Sequence, residues 1–179
     1  MIIEDPRTGT SAQVTSDGKL KTYAVSESPQ MHINEDFGES YHVIISKTPA
    51  SGGNNCFFYL KNNSDYDIHV KKLRIQTASA ESIQVKFNDT GTPIGGTTNT
   101  PVNQNAGSGK SADATCLEGT DITGLSGGTV IDEVFGSTTM ANYEWSSSLI
   151  LPKNRTLTLY AVTTNVALKA TLSFYFYQN

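Results

Sequence analysis

The chain has 179 residues, with 13 lysines and arginines against 17 aspartates and glutamates, a size that suits one well-packed domain. Its basic residues are scattered apart from Lys71-Lys72, so neither a phosphate-tracking face nor a nucleic-acid partner is expected. No apolar run of about 18 residues predicts a membrane helix. The start "MIIEDPRTGTSAQ" is acidic and proline-containing where a Sec signal peptide would be apolar.

Residues 1–38 are predicted to form an N-terminal arm ahead of a domain at 39–179. The arm is polar, with one plausible hairpin in "SAQVTSDGKLKTYAV", where Gly18 would supply the positive φ of a tight turn. It also holds apolar side chains that a disordered leader would seldom keep: Tyr23, Val25, Met31, Ile33 and Phe37. We therefore expect an extended arm that lies on a neighbouring subunit, with a disordered leader as the alternative.

From residue 40 onward the pattern is β almost throughout. Runs rich in Val, Ile, Thr, Tyr and Phe predict strands at 40–47, 55–62, 67–77, 82–89, 156–162 and 167–177. In the last run apolar residues alternate with Lys, Thr, Ser and Tyr, as in a strand with one face on a core. The continuous runs "VIIS" and "LYAV" favour strands buried on both faces, whereas "VIDEVFG" is ambiguous between helix and strand.

About eight strands separated by turn signals predict an all-β fold, an antiparallel β-sandwich with a jelly roll as the first choice. One long segment, residues 91–128, interrupts the strands and is dominated by Gly, Ser, Thr and Asn. It reads as an irregular loop. Loops of this length without secondary structure usually bind a ligand or pack on a partner. Residues 91–128 are therefore the strongest candidate in the sequence for a region that binds a ligand or a partner.

Residues 104–111, "QNAGSGKS", end in the Gly-Lys-Ser of a phosphate-binding P-loop. The first glycine of that motif would fall on Gln104. The flanking sequences predict neither a buried strand before the loop nor the helix whose N-terminus completes the anion site. We interpret the stretch as a polar surface loop, with Lys110 exposed or at an interface and paired with a carboxylate of a neighbouring subunit.

The remaining reactive side chains do not assemble into a recognisable catalytic motif, and neither an enzyme nor a cofactor is expected. Cys56 and Cys116 lack zinc-site spacing and are interpreted as reduced, partly buried thiols, with a disulfide as the alternative. The histidines lie apart in the sequence, so no metal site is expected either. A β-sandwich hydrolase that uses a pair of loop carboxylates is the weakest alternative.

Five stretches, in their order along the chain, carry a family resemblance: "VTSDGKLKTYAVSES", "FFYLKNNSDYDIHVKKLRI", "GGTTNTPVNQNAGSGKSADAT", "SLILPKNRTLTLYAV" and "ATLSFYFYQN". Together they resemble the small β-sandwich virion proteins of tailed bacteriophages that decorate or cement the capsid or accompany the tail. The resemblance implies a non-catalytic structural protein, made in the host cytoplasm and carried on the capsid surface of the virion. It also implies self-association as a homotrimer and binding to the phage major capsid protein.

The arm and the 91–128 segment are the expected contact regions, because short hydroxyl and amide side chains suit a large polar interface. The candidate interface residues are Tyr23, Val25, Met31, Ile33, Phe37, Asn103, Asn105, Lys110, Tyr143 and Trp145. Tyr143 and Trp145 share one side of an extended segment and could stack on a sugar, although a core position suits Trp145 equally well. A host-receptor or carbohydrate-binding module, with a host glycan as partner, is therefore the alternative function.

Overall fold

The computed structural model describes residues 13–14, 20–21, 29–163 and 165–177. Before the sandwich come β1 (Gln13–Val14), β2 (Leu20–Lys21), the α-helical turn α1 (Pro29–His32) and a π-helical turn (Ile33–Phe37). The strands that follow are β3 (Ser40–Lys47), β4 (Asn55–Asn62), β5 (Asp67–Thr77), β6 (Glu81–Phe87), β7 (Thr90–Ile94), β8 (Thr97–Thr98), β9 (Val102–Asn103), β10 (Ala114–Glu118), β11 (Thr123–Ser126), β12 (Thr129–Gly136), β13 (Ala141–Leu151), β14 (Thr156–Ala161) and β15 (Leu168–Tyr177).

Two antiparallel sheets pack face to face. One has the order β12-β6-β14-β4-β10-β8 and the other the order β13-β5-β15-β3-β9. The eight long strands pair in a nested way: β3 with β15, β4 with β14, β5 with β13, and β6 with β12. This is the strand order of a jelly roll. The predicted all-β antiparallel sandwich is thus confirmed.

The core lies between the sheets, where alternate side chains of each strand meet. Its members include Phe58 and Leu60 from one sheet and Leu73, Leu172 and Phe174 from the other, all fully buried. The six strand predictions agree with β3, β4, β5, β6, β14 and β15 to within two residues at either end. The period-2 pattern worked here because one face of each strand meets the core.

The two apolar runs that were predicted to be buried on both faces differ in their burial. Every residue of β14 is buried, as "LYAV" predicted. The prediction from "VIIS" is wrong, because Ile44 points away from the core and is 63 % exposed. The ambiguous "VIDEVFG" belongs to strand β12.

The 91–128 segment is not the irregular loop that its composition indicated, because it contains β8, β9, β10, β11 and most of β7. Strand β10 extends one sheet beside β4, and β9 extends the other beside β3. The segment also covers the outer face of the first sheet, where Ile122 packs with Cys56, Tyr59 and Tyr160. For this reason "NCFFYL" is buried on both faces.

The N-terminal part is described only in pieces. β1 pairs with β2, which agrees with the predicted hairpin, whereas Gly18, Tyr23 and Val25 lie outside the described residues. The two helical turns, together called the helical segment (29–37), lie on the outer face of the five-stranded sheet, and Ile33 is 5 % exposed there. In the described ranges, no helix has the length and apolar character needed to cross a membrane.

Candidate functional site

Asn103, the last residue of β9, and the loop that follows it, residues 104–110, fasten the helical segment to the sandwich. Asn105 Nδ2 donates to the main-chain oxygen of Asn34 at 3.0 Å, and Asn103 Nδ2 donates to that of Gly38 at 2.8 Å. Gly38 has φ +60° and approaches Ser108 so closely that an added Cβ would lie 2.3 Å from the Ser108 Cβ. The predicted contact residues Asn103 and Asn105 therefore bind the chain's own N-terminal segment.

The same loop contains Lys110, whose carboxylate partner is Glu39 of the same chain, where the carboxylate of a neighbouring subunit was expected. The Lys110 Nζ and Glu39 Oε1 atoms are 2.8 Å apart, with side chains 46 % and 15 % exposed. Gln104, at the position that a P-loop needs as glycine, donates to the hydroxyl of Ser40 at 2.9 Å. The loop leads into strand β10 and not into a helix, so it lacks the helix N-terminus that completes a P-loop.

Tyr143 bridges the two sheets along the edge where β12 and β13 each have a free side. Its hydroxyl accepts from the Phe135 main-chain N–H at 2.9 Å and donates to the Phe135 carbonyl at 2.7 Å. An unpaired edge strand offers such main-chain groups to any passing chain. Tyr143 thus caps the edge of β12 at this position.

Trp145 makes a second bridge at the same edge. Its Nε1 donates to a carboxylate oxygen of Asp132 in β12 at 2.8 Å, and its ring packs against the core together with that of Tyr143. Both polar groups are used inside the chain, and both residues are only partly exposed. A sugar could stack only on the parts of the ring faces that packing against the core leaves exposed.

Beside the capped edge, β12 exposes a strip of large apolar side chains that the sequence reading did not select. Phe135 is 64 % exposed, Val130 45 % and Ile131 39 %. The register shifts between Val130 and Asp132, so Ile131 is an extra residue that breaks the alternation. An alternating pattern that resumes after one inserted residue would have been the signal to look for.

The arm residues that are described divide between two environments. Ile33 is buried against the sandwich, whereas Met31 is 49 % and Phe37 44 % exposed. The Phe37 ring meets that of His32 edge to face, with centroids 5.9 Å apart. Met31 and Phe37 therefore keep apolar surface available for a contact, and Ile33 does not.

Among the described residues, the cysteine and histidine side chains form no cluster that resembles a metal site. In the described ranges no three His, Cys, Asp or Glu side chains come together. Cys56 and Cys116 are both free and buried, so the disulfide alternative is wrong. Burial raises the pKa of each thiol to about 12. Burial, with a smaller effect from Arg74, lowers the pKa of His42.

Comparison of this chain with protein-family models, with curated proteins and with solved structures gave no match.

Proposed function

We propose that this chain is a structural virion protein of a tailed bacteriophage, of the capsid decoration type. It self-associates as a homotrimer and binds the phage major capsid protein at the capsid surface. The observation that carries self-association is the apolar strip of β12, where Phe135, Val130 and Ile131 are 64 %, 45 % and 39 % exposed. Grouped exposed apolar side chains on a soluble domain usually mark a contact surface. The order of the sequence motifs supports the phage assignment.

The strip has the make-up of an interface centre. Phe135 offers a large aromatic anchor, and the neighbouring exposed Glu133 supplies a polar group beside it. The net charge of −4 gives only modest repulsion between copies. Because jelly rolls occur in both viral capsid proteins and lectins, the fold supports the proposal without carrying it.

The proposal is tested by measuring the mass of the purified full chain in solution, together with its binding to empty capsid shells by co-sedimentation. The wild type is expected to be a trimer that sediments with shells. Phe135→Ser is expected to shift the mass toward the monomer and to weaken shell binding, because binding of a trimer gains from several simultaneous contacts.

Ile44→Ser is the matched control, since Ile44 is 63 % exposed on the opposite sheet. It should leave both the mass and the shell binding unchanged. A wild-type chain that stays monomeric at every concentration tested, and that ignores shells, would contradict the proposal. Equal loss in both variants would show that the β12 strip is not the contact surface.

The alternative role at Tyr143 and Trp145, stacking on a host glycan, draws less support from the geometry. The hydroxyl of Tyr143 and the indole N–H of Trp145 already bind Phe135 and Asp132. Both rings also pack against the core. These contacts favour a structural role for the two side chains at the sheet edge.

A further inference from the structure

A polar groove of ≈ 540 Å³ lies on the outer face of the five-stranded sheet, beside the helical segment. Its floor is a single row of side chains across four strands, because His42 pairs with Ser173, Ser173 with Lys72, and Lys72 with Glu144. Gln30, Met31, Asn34 and Gln104 stand around this floor. The volume is in the range of small-molecule sites, roughly 300–1,000 Å³.

Two strand irregularities meet at the groove. In β5, Lys71 is an extra residue between the positions that pair with Ser173 and Phe174 of β15. In β13 the register shifts just after Glu144, and Lys71 Nζ lies 3.4 Å from the Trp145 carbonyl oxygen. Bulges often re-aim a side chain beside a binding site. Here they add Lys71 to the lining of the groove.

The lining of the groove places hydrogen-bond donors and acceptors close together. Lys72 Nζ and Glu144 Oε1 are 2.7 Å apart, which sets a donor beside an acceptor. The lowered pKa of His42 keeps its ring neutral near pH 7, with one nitrogen that donates and one that accepts. Ser173 adds a hydroxyl that does both. Such a lining matches a ligand with several adjacent hydroxyl groups better than it matches a bare anion.

Asn34 distinguishes a hydroxyl ligand from an anionic one. Its side chain lines the groove, and its Oδ1 oxygen is buried with no hydrogen-bond partner in the described part of the chain. An ionised carboxylate has no proton to give to this oxygen when the side chain turns into the groove, whereas a hydroxyl group has. Met31, 49 % exposed, adds an apolar surface on which the C–H face of a sugar ring can rest.

We propose that this groove binds a neutral sugar, as a terminal monosaccharide of a glycan. The site is separate from the β12 strip, because the two lie on different sheets. Loss of one therefore need not affect the other, and failure of sugar binding would be distinguishable from failure of self-association.

Saturation-transfer NMR on the full chain tests the proposal, with the methyl glycosides of glucose, galactose, mannose and N-acetylglucosamine and with glucuronic acid as a charged probe. At least one neutral glycoside is expected to bind. Asn34→Leu and Ser173→Ala should each raise its Kd by roughly fivefold, the effect of losing about one hydrogen bond. The main-chain oxygen of Asn34, which accepts from Asn105, is retained in the first variant.

Asn142→Leu is the matched control, since Asn142 is an exposed side chain on β13 that does not line the groove. Its Kd should equal that of the wild type, and circular dichroism should show all three variants folded. The proposal is overturned if no neutral glycoside binds, if the groove variants bind as the wild type does, or if glucuronic acid is bound in preference.

Discussion

Side-chain amides hold together the part of the molecule that has no regular main-chain pairing. Asn103 Nδ2 donates to the carbonyl oxygens of Gly38 and Lys110, at 2.8 and 3.0 Å, while its Oδ1 accepts from the Asn105 N–H at 2.8 Å. An amide offers donors and an acceptor on one short side chain. It can therefore satisfy main-chain groups where a loop crosses a helical turn and no ladder exists.

Asn103→Ala is accordingly expected to lower the free energy of unfolding by about 1–3 kcal/mol, through the loss of up to three hydrogen bonds. Urea denaturation with a matched Asn142→Ala control measures this, and the control should lie within about 0.5 kcal/mol of the wild type. An equal loss in both variants would contradict the fastening role of Asn103. The Lys110–Glu39 ion pair, half exposed on the lysine side, should contribute less.

Two histidines make the stability depend on pH. Burial lowers the pKa of both His42 and His69 below the ordinary value of 6.5. As pH falls through that value the unfolded chain takes up protons first, so the free energy of unfolding decreases between about pH 7 and pH 5. The pKa of Glu144 is lowered from 4.5 by Lys72, so its contribution is lost only under more acidic conditions.

Calorimetry between about pH 7 and pH 5 checks whether stability falls on acidification. The Tm of the wild type should fall on acidification, and His42→Gln should fall less steeply, because one of the two groups no longer titrates. A Tm that rises between about pH 7 and pH 5 would contradict the argument.

At the scale of strands, the edge formed by β12 and β13 shows how a sandwich closes a vulnerable side. The hydroxyl of Tyr143 occupies both main-chain groups of Phe135, and Trp145 reaches Asp132. Side chains from one sheet thereby replace the missing neighbour strand of the other. Exposed edges that lack such protection tend to pair with other chains.

Tyr143→Phe should leave the fold intact and increase aggregation, because it removes the hydroxyl while retaining the ring that packs on the core. The expected loss of stability is small, about 1 kcal/mol, since solvent can reach the uncapped groups. Light scattering over time at elevated concentration measures the effect. Tyr66→Phe, at an exposed tyrosine, should scatter like the wild type; if it aggregates equally, the cap is not the cause.

Hydrophobic periodicity predicts the strands, but it does not predict the exposed side chains at the edge formed by β12 and β13. Strands β3, β5 and β6 alternate because one core imposes period 2 on a strand that lines it with one face. Strands β4 and β14 are buried on both faces, and their aromatic, aliphatic and threonine content predicted them. The strip on β12 was missed because Ile131 is an inserted residue. Tyr143 and Trp145 were selected as aromatic residues, yet their contacts depend on a partner sheet that sequence spacing does not reveal.

At the scale of the whole molecule, the segment 91–128 runs along the outside of the sandwich and covers part of it. It adds strands to both sheets and covers a second apolar cluster outside the sandwich, in which Ile122 packs on Cys56 and Tyr160. Its Gly- and Ser-rich composition hid these strands, because the short ones pair at sheet edges and bury little. Composition alone could identify the place of the insertion but not its structure.

The reactivity of the two cysteines shows when the 91–128 segment opens. Cys56 lies under the segment on the outer face of β4, whereas Cys116 belongs to the core between the sheets. With pKa values of about 12 neither thiol is ionised near pH 8, so both should resist alkylation in the native protein.

At low urea concentrations Cys56 should react first, because its exposure requires only the part of the segment around Ile122 to open, whereas Cys116 lies in β10 and faces the core. Mass spectrometry of the labelled peptides gives the order. Simultaneous labelling of both cysteines would mean that the part around Ile122 opens together with strand β10.

The hydroxyl cap on Phe135 also limits the geometry of assembly. Identical chains that joined through free strand edges could continue adding copies without end and form filaments. In the proposed trimer, with those main-chain groups occupied by Tyr143, copies would meet through the projecting side chains of β12, whose contacts can be satisfied within a closed rotational ring. In the proposed assembly, one phenolic oxygen thus favours a closed ring of copies over a fibre that grows along β12.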